Sequence, residues 1–309
     1  MKKNYQILLL ITLLTLSYTV MTKTKYKKPY YGIKLDLAQV GVDIRLNDIP
    51  VYYDDEKGQL TVDLPAPSSV INGKNTLKII AFPPYIDDEN KMDKFLPDSV
   101  VTATLYVQEI DDPDNNKEII TSISIKFSDN STAEIINTNE TEYNEDQVVL
   151  LQNTTRETVV SRSVEFESGF PDWEWQDGKN IENNSDNFNS LMNTYKNIHT
   201  IFTDKNQSEV FNIYDIRAKE IATAYHLADP KEGHLKISTG SDMNDPSLAL
   251  HEFWTEGMKL EIIANGKMAR ITDTDKDQPI LFIDKESGTL HLHKFSFYKS
   301  NNDEWIMIR

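Results

Sequence analysis

The stretch IRLNDIPVYYDDEKGQLTVDLPAPSSVINGKNTLKI, residues 44–79, decides how the first half of the chain is read. Apolar and polar residues alternate in Gln59-Leu60-Thr61-Val62-Asp63-Leu64 and again in Thr76-Leu77-Lys78-Ile79-Ile80. A period of two puts one set of side chains on one face of a strand and leaves the other face polar. Turn formers separate the runs: Asn47-Asp48, Asp55-Glu56-Lys57-Gly58 and Asn72-Gly73. Outward from this stretch the same alternation recurs at 42–46, 100–107 and 119–127, with Asp112-Pro113-Asp114-Asn115 between the last two. Residues 147–151 and 158–166 read as further strands. The pattern predicts an antiparallel β-sandwich over residues 35–166.

Leu46-Asn47 ends one strand of this stretch, and Asn72-Gly73-Lys74-Asn75-Thr76-Leu77 opens another. In these elements it resembles the accessory jelly-roll (galactose-binding-like) domains of glycosidases. The shared motif is a structural one: the glycine supplies a positive φ and the asparagine side chain bonds to its own turn. The resemblance implies a sandwich and, faintly, sugar binding, for which Tyr52, Tyr53 or Tyr85 would form the aromatic platform.

Residues 167–187 read as a linker. They contain Gly169-Phe170-Pro171-Asp172-Trp173-Glu174-Trp175, in which Trp173 and Trp175 are either a plug between two domains or an exposed recognition pair. Beyond it the period changes. Phe188, Leu191, Met192, Tyr195, Ile198, His199 and Phe202 fall at helical spacing, as do Val210, Ile213, Tyr214, Ala218, Ile221, Ala222 and Tyr225. Ser185 or Asp186 is the expected cap of the first helix and Ser208 of the second. Strands are expected at 234–238, 258–264, 267–271, 280–283, 289–298 and 305–308, with Asn265-Gly266 as a hairpin turn. Two helices followed by a meandering sheet, closed by Phe295-Ser296-Phe297-Tyr298-Lys299 and Trp305-Ile306-Met307-Ile308-Arg309, resemble the nuclear-transport-factor-2-like (ketosteroid-isomerase-like) cone fold. That resemblance is architectural and implies no catalytic motif. The fold class expected is therefore mainly β with an α+β C-terminal domain: a sandwich, then helices packed on a curved antiparallel sheet over residues 188–309.

Composition narrows the function. The 309 residues include no cysteine, 11 glycines, 32 basic and 49 acidic side chains, and carry a net charge of −17. Thiol chemistry, disulfide frameworks and Cys-ligated zinc are excluded. Residues 1–28 hold six lysines and no acid, so the remainder carries 26 bases against 49 acids, a net of −23. A body this acidic repels phosphate backbones, which argues against nucleic acid and for a cationic protein partner. The uncharged run ILLLITLLTLSYTVM between Lys3 and Lys23 reads as a signal peptide or an uncleaved membrane anchor, residues 1–28 in all. The 25 asparagines and the lack of cysteine point to a bacterial envelope, either anchored in the inner membrane facing the periplasm or soluble there.

Four groups of residues invite a chemical reading. Asp273, Asp275 and Asp277 with Asp284 imitate a calcium loop, but Gln278 stands where the turn needs glycine and the flanks read as strands. His291 and His293 alternate on one strand as a metal pair would. His251-Glu252-Phe253-Trp254-Thr255 begins like a zinc-protease helix but has Thr255 where the second histidine belongs. His199, Tyr214, Asp215, Arg217 and His226 are the candidates for a pocket in the cone, where a general base would act on a small substrate. No nucleophile elbow, P-loop or dinucleotide fingerprint occurs. The expectation is a non-enzymatic binding protein without cofactor or metal, for which an immunity protein neutralising a secreted toxin is the concrete case. The alternatives are a glycan or cell-wall module bound through Tyr52 and Tyr85, and a small-molecule enzyme working in the cone.

Overall fold

The computed structural model describes residues 22–23, 25–87, 90–112, 114, 116–136 and 141–309. The segment read as a leader thus lies largely outside the described residues. Strand exceeds helix, 39% against 21%, and the strands pair in several antiparallel sheets, so the chain is mainly β.

Two of those sheets occupy the first half. One runs Ala133–Ile135, Glu118–Phe127, Val100–Glu109, Pro29–Ala38, Gln59–Pro65. The other places Thr158–Glu167 beside Gly73–Phe82, Gly41–Leu46 and Ile49–Asp54, with Val149–Asn153 on its outer side. Alternation sends Ile33, Leu35, Val101, Ala103, Leu105, Ile123 and Ile125 from the first sheet, and Val42, Ile44, Leu77, Ile79, Val160 and Val164 from the second, into one buried cluster. The quoted stretch locks itself with two buried asparagines. Asn47 Nδ2 donates to Asn75 Oδ1 at 2.8 Å and to Ser69 O at 2.8 Å, while Thr76 N donates to Asn47 Oδ1. Asn75 in turn binds both the N–H and the carbonyl of Ile71. Gly73 has φ 93°, the left-handed turn position that favours glycine.

The segment 168–181 is docked along its length. Tyr31 donates to Ser168 O at 2.8 Å, Phe170 packs on Tyr31, and Ile181 N donates to Gly266 O. Helix α1 spans Ser185–Thr203 and α2 Gln207–Ala224. Their caps are Asn184 and Asn206, each side chain accepting from an N–H of the first turn, rather than Ser185, Asp186 or Ser208. Asparagine caps as well as serine or aspartate, so each helix starts a residue or two earlier than expected.

Two strand expectations are corrected. Residues 234–238 do not form a strand, because helix α3 spans Pro230–Lys236. Asp229 caps it, accepting from Lys231 N and Glu232 N, and Pro230 occupies the first turn, a start signal that outweighs the short alternation that follows. The run 289–298 is broken in two. Leu290–Leu292 pairs with Leu281–Asp284, whereas Phe297–Lys299 pairs with Met268–Thr272 and Trp305–Met307. The strands after α3 therefore fall into a three-stranded and a four-stranded sheet. The α1 residues Leu191, Tyr195, Ile198 and Phe202 share a buried cluster with Leu260, Ile271, Phe282, Phe295 and Phe297. The hairpin Lys259–Ile263 to Met268–Thr272 turns at residues 264–267, where Ala264, Asn265 and Gly266 all have positive φ.

Candidate functional site

Helix α2 has two working faces. Val210, Tyr214 and Ala218 are buried, whereas Phe211 stays 41% exposed one residue round from Val210. Helix α3 lies against the same helix at close range. A Cβ on Gly233 would overlap the backbone of Ala218, so only glycine permits this approach. Past α3 the chain turns through Ser238 (φ 50°) and Gly240 (φ 72°), and Asn244 Nδ2 holds the turn by donating to Gly240 O and to Gln207 Oε1.

Between the two helices and this turn lies a cleft of about 890 Å³, lined among others by Phe211, Asp215, Lys231, His234, Leu235 and Ser241. Leu235 is 78% exposed on α3. His234 is buried, its ring centroid 4.6 Å from that of Phe211 and its Nδ1 3.1 Å from Thr239 Oγ1. Burial lowers the His234 pKa below the ordinary histidine value, with Asp215 opposing in part, so at neutral pH the imidazole is an uncharged wall of the cleft. Asp215 is ion-paired with Lys219 at 2.6 Å. Behind Ser241, whose Oγ donates to Asp242 Oδ1 at 2.9 Å, the other Asp242 oxygen meets His293 Nε2 at 3.1 Å. His293 packs among Phe202, Phe282 and Phe295, and burial lowers its pKa despite Asp242.

A hydroxyl nucleophile needs an imidazole that a third group orients. Here Ser241 bonds to a carboxylate, and the histidine beside Thr239 lies tilted against Phe211, while Asp215 is engaged by a lysine. An apolar recess of this size with a few polar groups has the dimensions of a ligand or side-chain pocket.

The residues singled out in the sequence are dispersed. Trp173 and Trp175 are 2% and 4% exposed, which removes them from the surface and corrects the reading of an exposed recognition pair. Trp173 donates from Nε1 to Val70 O at 2.7 Å and its ring lies 5.3 Å from Phe170. Tyr52 and Tyr85 stand on different strands, Ile49–Asp54 and Tyr85–Asp87. Tyr52 packs on the sheet core and donates to Asp54, while the backbone N–H of Tyr85 donates to Asp55 O. Of the five cone candidates only Asp215 lines the cleft. His199 contacts His251 O, His226 contacts Pro29 O, Tyr214 is buried and Arg217 lies over the Tyr214 ring. His291 is exposed while His293 is packed, Asp273 Oδ1 accepts from the N–H groups of Asp275 and Asp277, and His251 Nδ1 contacts Glu252 O. Among the described residues no cluster of three or more His, Asp or Glu side chains is arranged to hold a metal ion.

Two features escaped sequence reasoning. Phe211 and Leu235 flank the cleft, and the signal for them was the cap-and-proline pair Asp229-Pro230, which announces the helix that exposes Leu235. The second feature is a buried charge network across the outer face of Gly41–Leu46. Glu261 accepts from Arg45 at 2.6 Å, Arg270 at 2.7 Å and Lys276 at 3.1 Å, and Arg45 also binds Asp43. Burial pushes the Glu261 pKa up, but the cations outweigh it and bring it down to about 2. This network ties the hairpin after α3 to the first-half sheet.

Comparison of the chain with protein-family models, with curated proteins and with solved structures gives no match. Among the described residues no helix is long and apolar enough to cross a membrane.

Proposed function

We propose that the protein is a non-enzymatic binding protein whose α2–α3 cleft seats apolar side chains of a cationic protein partner. The observation that carries this reading is the pair Phe211 and Leu235, 41% and 78% exposed beside an 890 Å³ cleft. Large apolar side chains held at such an opening are characteristic of interaction sites. The net charge of −17 supports the sign of the partner, because it steers a basic protein toward the surface. In the proposed architecture, residues 35–166 form an antiparallel sandwich, 167–187 connect, and 188–309 form helices packed on two small antiparallel sheets rather than on one curved sheet. Export to a bacterial envelope through residues 1–28, and neutralisation of a secreted toxin by contact, belong to the same proposal. Neither the Tyr52 and Tyr85 glycan reading nor the cone enzyme has an observation that favours it.

Fluorescence anisotropy tests the proposal with two labelled amphipathic helical peptides of equal apolar content, one basic and one acidic. The basic peptide is expected to bind, more weakly at high salt, and Leu235→Asp with Phe211→Asp to remove binding. Leu235→Asp alone is expected to change stability by less than about 0.5 kcal/mol, since the side chain is already exposed. Equal binding of both peptides, or binding that survives the double substitution, contradicts the reading.

A further inference from the structure

The six arginines of this chain stand among 49 acidic side chains, and five of them hold a carboxylate. Arg45 binds Asp43 and Glu261, Arg270 binds Glu261, Arg162 binds Glu145 and Arg156 reaches Asp93. Arg309 donates to Glu220. Arg217, half-buried on α2, differs. Among the described residues it has neither an ion pair nor a hydrogen bond, and its guanidinium carbon lies 5.6 Å from the centre of the Tyr214 ring. Burial lowers its pKa; Tyr214 opposes, Arg309 adds to the lowering, and no acid offsets it.

The acids near it are engaged elsewhere. Glu220, one turn on, takes Arg309 and the backbone N–H of Glu174. Asp242, whose charge Tyr214 feels, is held by His293 Nε2 at 3.1 Å and by the Ser241 hydroxyl at 2.9 Å. Two further donors go unused here. Tyr214 is 4% exposed, and its hydroxyl makes no hydrogen bond among the described residues. Arg309, the cation that Arg217 feels, keeps a buried Nε–H without a partner, against one unused buried acceptor, Glu220 Oε1. A guanidinium withdrawn from water without a counter-charge is costly, and buried donors in native folds find acceptors. A ring beneath the cation recovers only part of that cost.

We propose that Arg217 and the Tyr214 hydroxyl form a binding site for a small oxyanion, a carboxylate or a phosphate, whose two oxygens take the guanidinium fork. The fork matches a paired set of acceptor oxygens, which a halide does not supply. Phe295, its ring 6.1 Å from that of Tyr214, walls the site. The site is separate from the α2–α3 cleft, which neither Tyr214 nor Arg217 lines.

Thermal unfolding of the full chain in potassium chloride, acetate or phosphate at equal ionic strength tests this. At ten times Kd, measured by titration calorimetry, the matching oxyanion is expected to raise the melting temperature by about 2 °C over chloride. The arm with the larger gain tells carboxylate from phosphate. Phosphate also stabilises proteins by exclusion from their surface, so the readout is the difference from Arg217→Met. That variant keeps the length of the side chain and removes the charge. It is expected to lose the gain and, having no ion pair to lose, to be no less stable than wild type in chloride. Tyr214→Phe is expected to weaken anion binding about tenfold and to leave the melting temperature in chloride unchanged. No gain in either oxyanion, equal gains in wild type and Arg217→Met, or an Arg217→Met protein less stable in chloride overturns the proposal.

Discussion

The strands between Pro29 and Glu167 and the helices after Asn184 use their apolar residues differently. In the first region two sheets close on one dry cluster, and Ile33, Leu35, Ile44, Leu77 and Ile123 are all fully buried. In the second, α1 buries its stripe, but α2 and α3 divide theirs between a core and an opening. Tyr214 and Ala218 face inward, while Phe211 and Leu235 remain outside. A sheet pair buries side chains by simple alternation and leaves little choice. A short helix laid on a long one through a single glycine leaves residues on both flanks, and there a binding surface can be built without weakening the core.

The largest expected effect tests the dry region. Phe166, 1% exposed and in ring contact with Tyr31 and Tyr143, is expected to cost about 3–5 kcal/mol when changed to alanine, measured by chemical denaturation. A loss below about 1 kcal/mol would mean that the sheets are not packed as described.

Next comes the charge network that ties the two regions together. Glu261 lies below its ordinary carboxylate value of 4.5 in the folded chain. Its contribution to stability is therefore present above that pH and is lost as pH falls toward about 2. Glu261→Gln is expected to lower stability at neutral pH by about 3 kcal/mol and to flatten the acid side of the stability curve. An unchanged acid limb would remove Glu261 from the account.

A smaller and more local effect is expected at the contact between α2 and α3. Gly233→Ala forces a Cβ against the Ala218 backbone and is expected to cost about 1–3 kcal/mol. Faster hydrogen exchange in residues 207–241, with the sheets unaffected, is the signature. Uniform loosening of both regions would show that α3 is part of one cooperative core.

The comparison also explains what was legible in the sequence. Alternation placed the strands of residues 42–127 because each buried face repeats every second residue, and helical spacing placed α1 and α2. The asparagine-glycine turn could be read because Asn75 bonds within a few residues of itself, to Ile71 and Gly73, whereas its partner Asn47 comes from 28 residues away. Asp43 and Arg45 looked like the solvent face of a strand, yet they are buried, because a hairpin more than 200 residues later covers them with Glu261. For Trp173 and Trp175 the sequence left a buried plug and an exposed pair both open; both side chains are buried, and Trp173 reaches the distant carbonyl of Val70. The cleft was hidden for the same reason. Its floor depends on Gly233 meeting Ala218, a tertiary contact, while His234–Ser238 alone alternates like a strand.

The most direct measurement is hydrogen exchange of the full chain with and without the basic amphipathic peptide. The account predicts slower exchange concentrated in residues 207–241, and its loss in Leu235→Asp. Protection centred instead on Ile49–Asp54 and Tyr85–Asp87, or none anywhere, would contradict it.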